Sequence, residues 1–63
     1  MKRFTVNFLR PPTEHEIAHS GDRGWRAETK IVDAKSKTAA KEFGKAISRA
    51  YGWRLMDIRE ESA

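Results

Sequence analysis

The chain has 63 residues, no cysteine, and thirteen Lys plus Arg against nine Asp plus Glu, for a formal charge of +4 and a pI near 9.9. That length predicts one small domain with a single marginal core, and the lack of cysteine excludes disulfide staples and thiolate metal sites. No apolar run approaches the roughly 20 residues of a membrane span, and MKRFTVNFLRPP alternates where a signal peptide is continuously apolar, so a soluble cytoplasmic protein with no membrane partner is expected. The positive charge favours acidic partners such as nucleic acid.

In chain order, Phe4, Val6 and Phe8 alternate with Arg3, Thr5 and Asn7, which predicts a first strand over about 3–9 with one buried face. Pro11-Pro12 stops it, because proline cannot donate to a strand ladder, and a polar connection runs over 10–24. A second strand over about 25–32 follows, with Trp25, Ala27, Thr29 and Ile31 as its inner face, paired antiparallel with the first. Ser36 stands where an N-cap belongs. Ala39, Ala40, Phe43, Ala46, Ile47, Ala50 and Tyr51 share one side of a helix over about 37–51, which Gly52 ends. Gly44 inside it costs about 1 kcal/mol relative to Ala, to be offset by Phe43 and Ile47 packing on the sheet.

Residues 53–59 predict a third strand with two available phases. Met56 and Ile58 inward is preferred, since the alternative buries Asp57. That choice leaves Trp53, Leu55 and Arg59 on the open face, and the tail 60–63 frays. The fold expected is α+β, a ββαβ domain whose three-stranded sheet has order 2-1-3, with one helix packed on one face.

The connection contains His15-Glu16-Ile17-Ala18-His19, an H-E-x-x-H pattern that on a helix brings two imidazoles to one zinc with the glutamate as base. Thr13 and Glu16 have capping-box spacing and Gly21 is a possible stop, so one or two helical turns are allowed. Such a helix has almost no apolar face, and a third ligand would have to come from Glu28, Asp33 or Glu42. A polar hairpin loop with a capped turn is therefore the reading preferred over a zinc site at His15 and His19, with a pH-sensitive loop as a further alternative. No cofactor is expected.

No nucleophile beside a histidine, phosphate loop or paired carboxylates in an apolar pocket is recognisable, so a binding protein is expected rather than an enzyme. The tripeptide Gly-Trp-Arg occurs at 24–26 and again at 52–54, each time opening a strand, which places both Trp and both Arg near one end of the sheet as a candidate binding corner. Lys37, Lys41, Lys45 and Arg49 follow one another at i, i+4 as a basic stripe that a solvated helix face also explains. The preferred interface is the open sheet face with Arg3, Thr5, Asn7, Arg26, Glu28 and Lys30, joined by Trp53, Leu55 and Arg59.

The segments WRAETKIVDAKSKTAAKEF (25–43) and YGWRLMDIR (51–59) resemble the strand-helix-strand half of small inhibitors of bacterial RNA polymerase made by some podoviruses. The resemblance covers about half the chain and implies that a sheet edge and the last strand dock on a host protein. Arg59 falls where that family has an arginine; Asp57 departs from a second one, and the helix here is basic where the family's is acidic.

Two functional expectations follow. The first is a basic nucleic-acid-associated module using Arg3, Arg26, Lys30, Arg54, Arg59 and the two tryptophans. The second is a protein-binding inhibitor or adaptor of phage or mobile-element type, anchored by Trp53, Leu55 and Arg59.

Overall fold

The computed structural model describes residues 1–61. Strand β1 (Lys2–Arg10) is followed by helix α1 (Glu14–Ser20), strand β2 (Arg26–Ala34), helix α2 (Lys37–Tyr51) and strand β3 (Arg54–Glu60). The sheet has order β2-β1-β3, with β1 antiparallel to both neighbours. The class and strand order are those expected; the single helix is not, because the connection between β1 and β2 folds into α1. The strand-like end also reaches further than expected: β3 runs to Glu60, and the Glu61 amide donates to the Arg3 carbonyl at 2.9 Å. The fraying expected of 62 and 63 lies outside the described residues.

Both helices end as their sequences dictate. The Thr13 hydroxyl accepts from the Glu16 amide while the Glu16 carboxylate accepts from the Thr13 amide, which satisfies two orphan donors, and Gly21 closes α1 at a φ of 74°. Ser36 caps α2 by accepting from the Ala39 amide, and Gly52 stops it at a φ of 71°.

The core is small. Phe4, Val6 and Phe8 of the central strand are fully buried, with Val32 and Ala34 of β2 and Ala40 of α2 around them and Ile47, Trp53, Leu55 and Ile58 packed at the margin. The backbone spans 40 × 25 × 14 Å, a thin two-layer slab in which few side chains are far from water.

Register revises the predicted faces of two strands. Directly opposed residues of an antiparallel pair share a face. Phe4 opposes Val32, Val6 opposes Lys30, Phe8 opposes Glu28 and Arg10 opposes Arg26, so these β2 residues lie on the α2 side. Ala27, Thr29 and Ile31 therefore belong to the open face, with Ile31 64% exposed, and Trp25 is 53% exposed. The expected inner face of β2 is inverted. The apolar alternation of 25–31 misleads because only the last part of β2, at Val32 and Ala34, lies in the apolar core; its first part faces an ionic cluster, where Arg26 and Glu28 are the suitable residues.

In β3 neither predicted phase holds throughout. Asn7 opposes Asp57 but Phe8 opposes Leu55, so the ladder slips by one residue at Met56. This bulge re-phases the strand and puts Leu55 and Ile58, three apart, on the same side. Ile58 faces inward as expected. Met56 is 54% exposed instead of buried, and Trp53 and Leu55 pack against the core instead of lying on the open face.

The helix contact also differs. Phe43 is exposed, and α2 approaches the sheet through Ala40 and Gly44, both buried. A Cβ on Gly44 would lie 3.1 Å from Leu55 Cδ1 and 3.2 Å from Val6 Cγ1. The glycine is thus a close-approach residue, which explains a costly residue in mid-helix. Gly44→Val is expected to destabilise the fold by roughly 1–3 kcal/mol in a urea titration, because its added methyls press on the fully buried Val6.

Candidate functional site

The H-E-x-x-H segment does form a helix, and His15 and His19 stand one turn apart with rings 11° from parallel and centroids 6.0 Å apart. Glu16, the base of the zinc reading, is otherwise engaged. Its two oxygens accept from Arg10 Nη1 and Nη2 at 2.8 and 2.9 Å, one also accepts from the Thr13 amide at 2.9 Å, and Arg26 Nε lies 3.5 Å from the other. The paired guanidinium of Arg10 and the Thr13 hydrogen bonds hold the Glu16 carboxyl at about 2, well below its ordinary 4.5. Among the described residues no three His, Cys, Asp or Glu side chains come together as a metal site.

These contacts have a structural role. Helix α1 buries no residue of its own. It is held through Arg10, which forks to Glu16 and donates from Nε to Glu28 at 2.9 Å, and through Arg26, whose Nη2 donates to Ser20 Oγ at 2.9 Å. A shallow concavity is lined by His15, Glu16, His19, Ser20 and Arg26. Because Glu16 has a lower pKa folded than unfolded, its contribution is fully present above about pH 4.5 and is lost as pH falls towards 2. Urea midpoints measured from pH 5 to 2 are expected to fall for the native chain and to fall less steeply for Glu16→Gln.

The two Gly-Trp-Arg tripeptides do lie at one end of the sheet, since β2 and β3 both begin beside the end of β1. Their side chains part company there. Arg26 opposes Arg10 on the α2 side, whereas Arg54 opposes Leu9 on the open face. Trp25 is exposed, while Trp53 sits edge-on to Phe8 at 5.5 Å, beside Tyr51 at 5.2 Å and beneath Lys30 Nζ at 5.8 Å. Trp53 is therefore flanked by Phe8 and by Tyr51 from the end of α2, in place of the expected Trp25.

The open sheet face is not the basic surface that was expected. Arg26, Glu28 and Lys30 are on its other side, as are Trp53 and Leu55. The cations that remain meet carboxylates: Arg3 Nε lies 3.3 Å from Asp33 and Arg59 Nε lies 3.6 Å from Asp57. Across its middle Thr29 Oγ1 donates to Asn7 Oδ1 at 2.8 Å and Asn7 Nδ2 to Asp57 Oδ1 at 2.6 Å, a polar row spanning all three strands. Arg54 has no ion-pair partner among the described residues, and Ile31 is an exposed large apolar side chain of this face.

The charge excess is on α2. Residues 35–52 contain five of the thirteen basic side chains and one of the nine acidic ones, so this segment accounts for the whole formal +4; the remainder of the chain holds eight of each. Lys37, Lys41 and Arg49 have no ion-pair partner among the described residues, and Lys45 only a 4.0 Å approach to Glu42. The i, i+4 spacing separates successive members by about 6 Å along the axis. The composition of 35–52 was the available sign of this surface.

No described helix is long and apolar enough to cross a membrane. No protein-family model matches the chain, and neither a curated protein nor a solved structure is significantly similar to it.

Proposed function

We propose that the protein is a small non-enzymatic nucleic-acid-binding module that holds phosphates along the outer side of α2. The observation that supports this is the segregation of charge: all of the formal +4 belongs to residues 35–52, in a molecule otherwise neutral. A patch of one sign on a neutral body attracts a polyanion in a defined orientation. Lys37, Lys41, Lys45 and Arg49 form the phosphate row, whose spacing is of the same order as that of successive phosphates along one strand. Of the sequence-predicted set, Lys30 lies on the α2 side of the sheet with no carboxylate partner among the described residues and is suited to join it; Arg54 is on the open face, and Arg3, Arg26 and Arg59 have their charges met locally.

Anisotropy of a labelled oligonucleotide, titrated with the protein at several salt concentrations, tests the reading. Four phosphate contacts to a single strand predict a slope of about −3 for log K against log salt. Absence of binding at low salt, or binding indifferent to salt, rejects it.

A second reading is a protein-binding inhibitor or adaptor working through the open sheet face. Its support is that this face is charge-balanced and carries Ile31 exposed beside Thr5, a composition better suited to a protein than to a phosphate backbone. Trp53 and Leu55 are no longer its anchors, since both pack on the core. Retention of one stoichiometric partner after nuclease treatment, lost on Ile31→Asp, is the result this reading requires.

A further inference from the structure

We propose that the nucleic acid taken by α2 is single-stranded, with one base stacked on Tyr51 at the C-terminal end of the helix. This rests on the reading of α2 as the phosphate-binding element and adds the ligand class and the base contact.

Tyr51 is the last residue of α2 and is 65% exposed. It is nonetheless supported from behind. Its ring is tilted 32° against Trp53 at 5.2 Å, and Trp53 rests edge-on against the fully buried Phe8. The backbone between them is also set: Gly52 takes the left-handed conformation that ends the helix, and the Ser48 hydroxyl donates to the Trp53 carbonyl. Lys30 lies over the Trp53 ring and adds a cation to the same corner. An exposed aromatic ring held in this way offers a flat surface whose ordering cost on binding is already met by the fold.

The row Lys37, Lys41, Lys45 and Arg49 runs along α2 and ends in its last turn, with Arg49 two residues before Tyr51 and so on the opposite side of that turn. A backbone that follows the row reaches the C-terminal end of α2 and crosses that end to meet Tyr51, where Lys30 over the Trp53 ring supplies the nearby cation. Basic tracks ending on aromatic platforms suit single strands, whose unpaired bases have a free face to stack; in a duplex those faces are covered by neighbouring base pairs.

The test uses fluorescein-labelled dT12 and a twelve-base-pair duplex at low salt, with the full chain and its Tyr51→Ala and Tyr51→Phe variants, after circular dichroism has shown each variant folded. The expected result is that Tyr51→Ala weakens dT12 binding about five-fold or more, that Tyr51→Phe does not, and that duplex binding is the same for all three. Salt-dependent binding in which Tyr51→Ala weakens both probes equally, or neither, overturns the stacking proposal while leaving α2 as the phosphate site. Failure of both probes to bind overturns both readings together.

Discussion

Phe4→Ala is expected to leave the chain without a cooperative thermal transition, while Ile31→Thr melts within about 0.5 kcal/mol of the native chain. Phe4 is fully buried in the central strand, opposite Val32 on one side and Glu60 on the other, and is one of six buried apolar residues among those described. Truncating a buried Phe to Ala costs about 3–5 kcal/mol, which matches the whole stability that a core of this size supplies in a domain of fewer than about 70 residues. Ile31 has the larger share of its surface in water already and points from the open face. Threonine keeps the β-branched shape there, so little is lost. Had Ile31 been an inner-face residue, as the alternation of Trp25, Ala27, Thr29 and Ile31 with Arg26, Glu28 and Lys30 suggests, the same substitution would place a hydroxyl in the core and cost far more. Circular dichroism melts of the two variants thus check the register directly.

Replacing Lys37, Lys41, Lys45 and Arg49 together by Gln is expected to abolish most oligonucleotide affinity and most of its salt dependence. With four phosphate contacts, raising salt from 50 to 200 mM weakens binding of a single strand about 50-fold in the native protein; in the variant the slope falls to about −1 or shallower. Fold stability is expected to change little, because all four side chains belong to exposed residues and only Lys45 approaches a carboxylate. The matched control, Arg3→Gln with Arg59→Gln, removes charges that already face Asp33 and Asp57 and is expected to leave the slope nearly as it was. Anisotropy titrations at four salt concentrations give all three slopes. A native slope that survives loss of the α2 row moves the interface elsewhere.

Both expected results depend on features that local sequence signals express unevenly. The caps of both helices were legible, since Thr13 with Glu16, Ser36, Gly21 and Gly52 act on backbone groups within a few residues of themselves. So was β1: a central strand packed under a helix alternates along the stretch it buries, and Phe4, Val6 and Phe8 do so. Strands β2 and β3 lie at the sheet edges, where burial varies along the strand. In β2 the apolar demand is confined to Val32 and Ala34, and the exposed Ile31 and Ala27 imitate a buried face. In β3 a single extra residue at Met56 breaks the period on which the choice of phase relied. Helix α1 was underestimated for a related reason. Lacking an apolar face, it is attached by Arg10, Arg26, Glu16 and Ser20, partners drawn from three separate segments.

Taken alone, the sequence determined the α+β class, the helix ends, the central strand's face and the placement of net charge, because each follows from neighbours along the chain or from composition, and the 2-1-3 strand order, because the handedness of the last crossover leaves β3 the free side of β1. Tertiary structure decided which faces of β2 and β3 are inward, that Gly44 is a contact rather than a weakness, that Glu16 is tied to Arg10, and that Tyr51 rather than Trp25 accompanies Trp53. Each of these depends on what stands opposite across the sheet or beneath the helix. Only the fold brings residues tens of positions apart into register, and opposing side chains, unlike caps and turns, leave no local mark in the order of the chain.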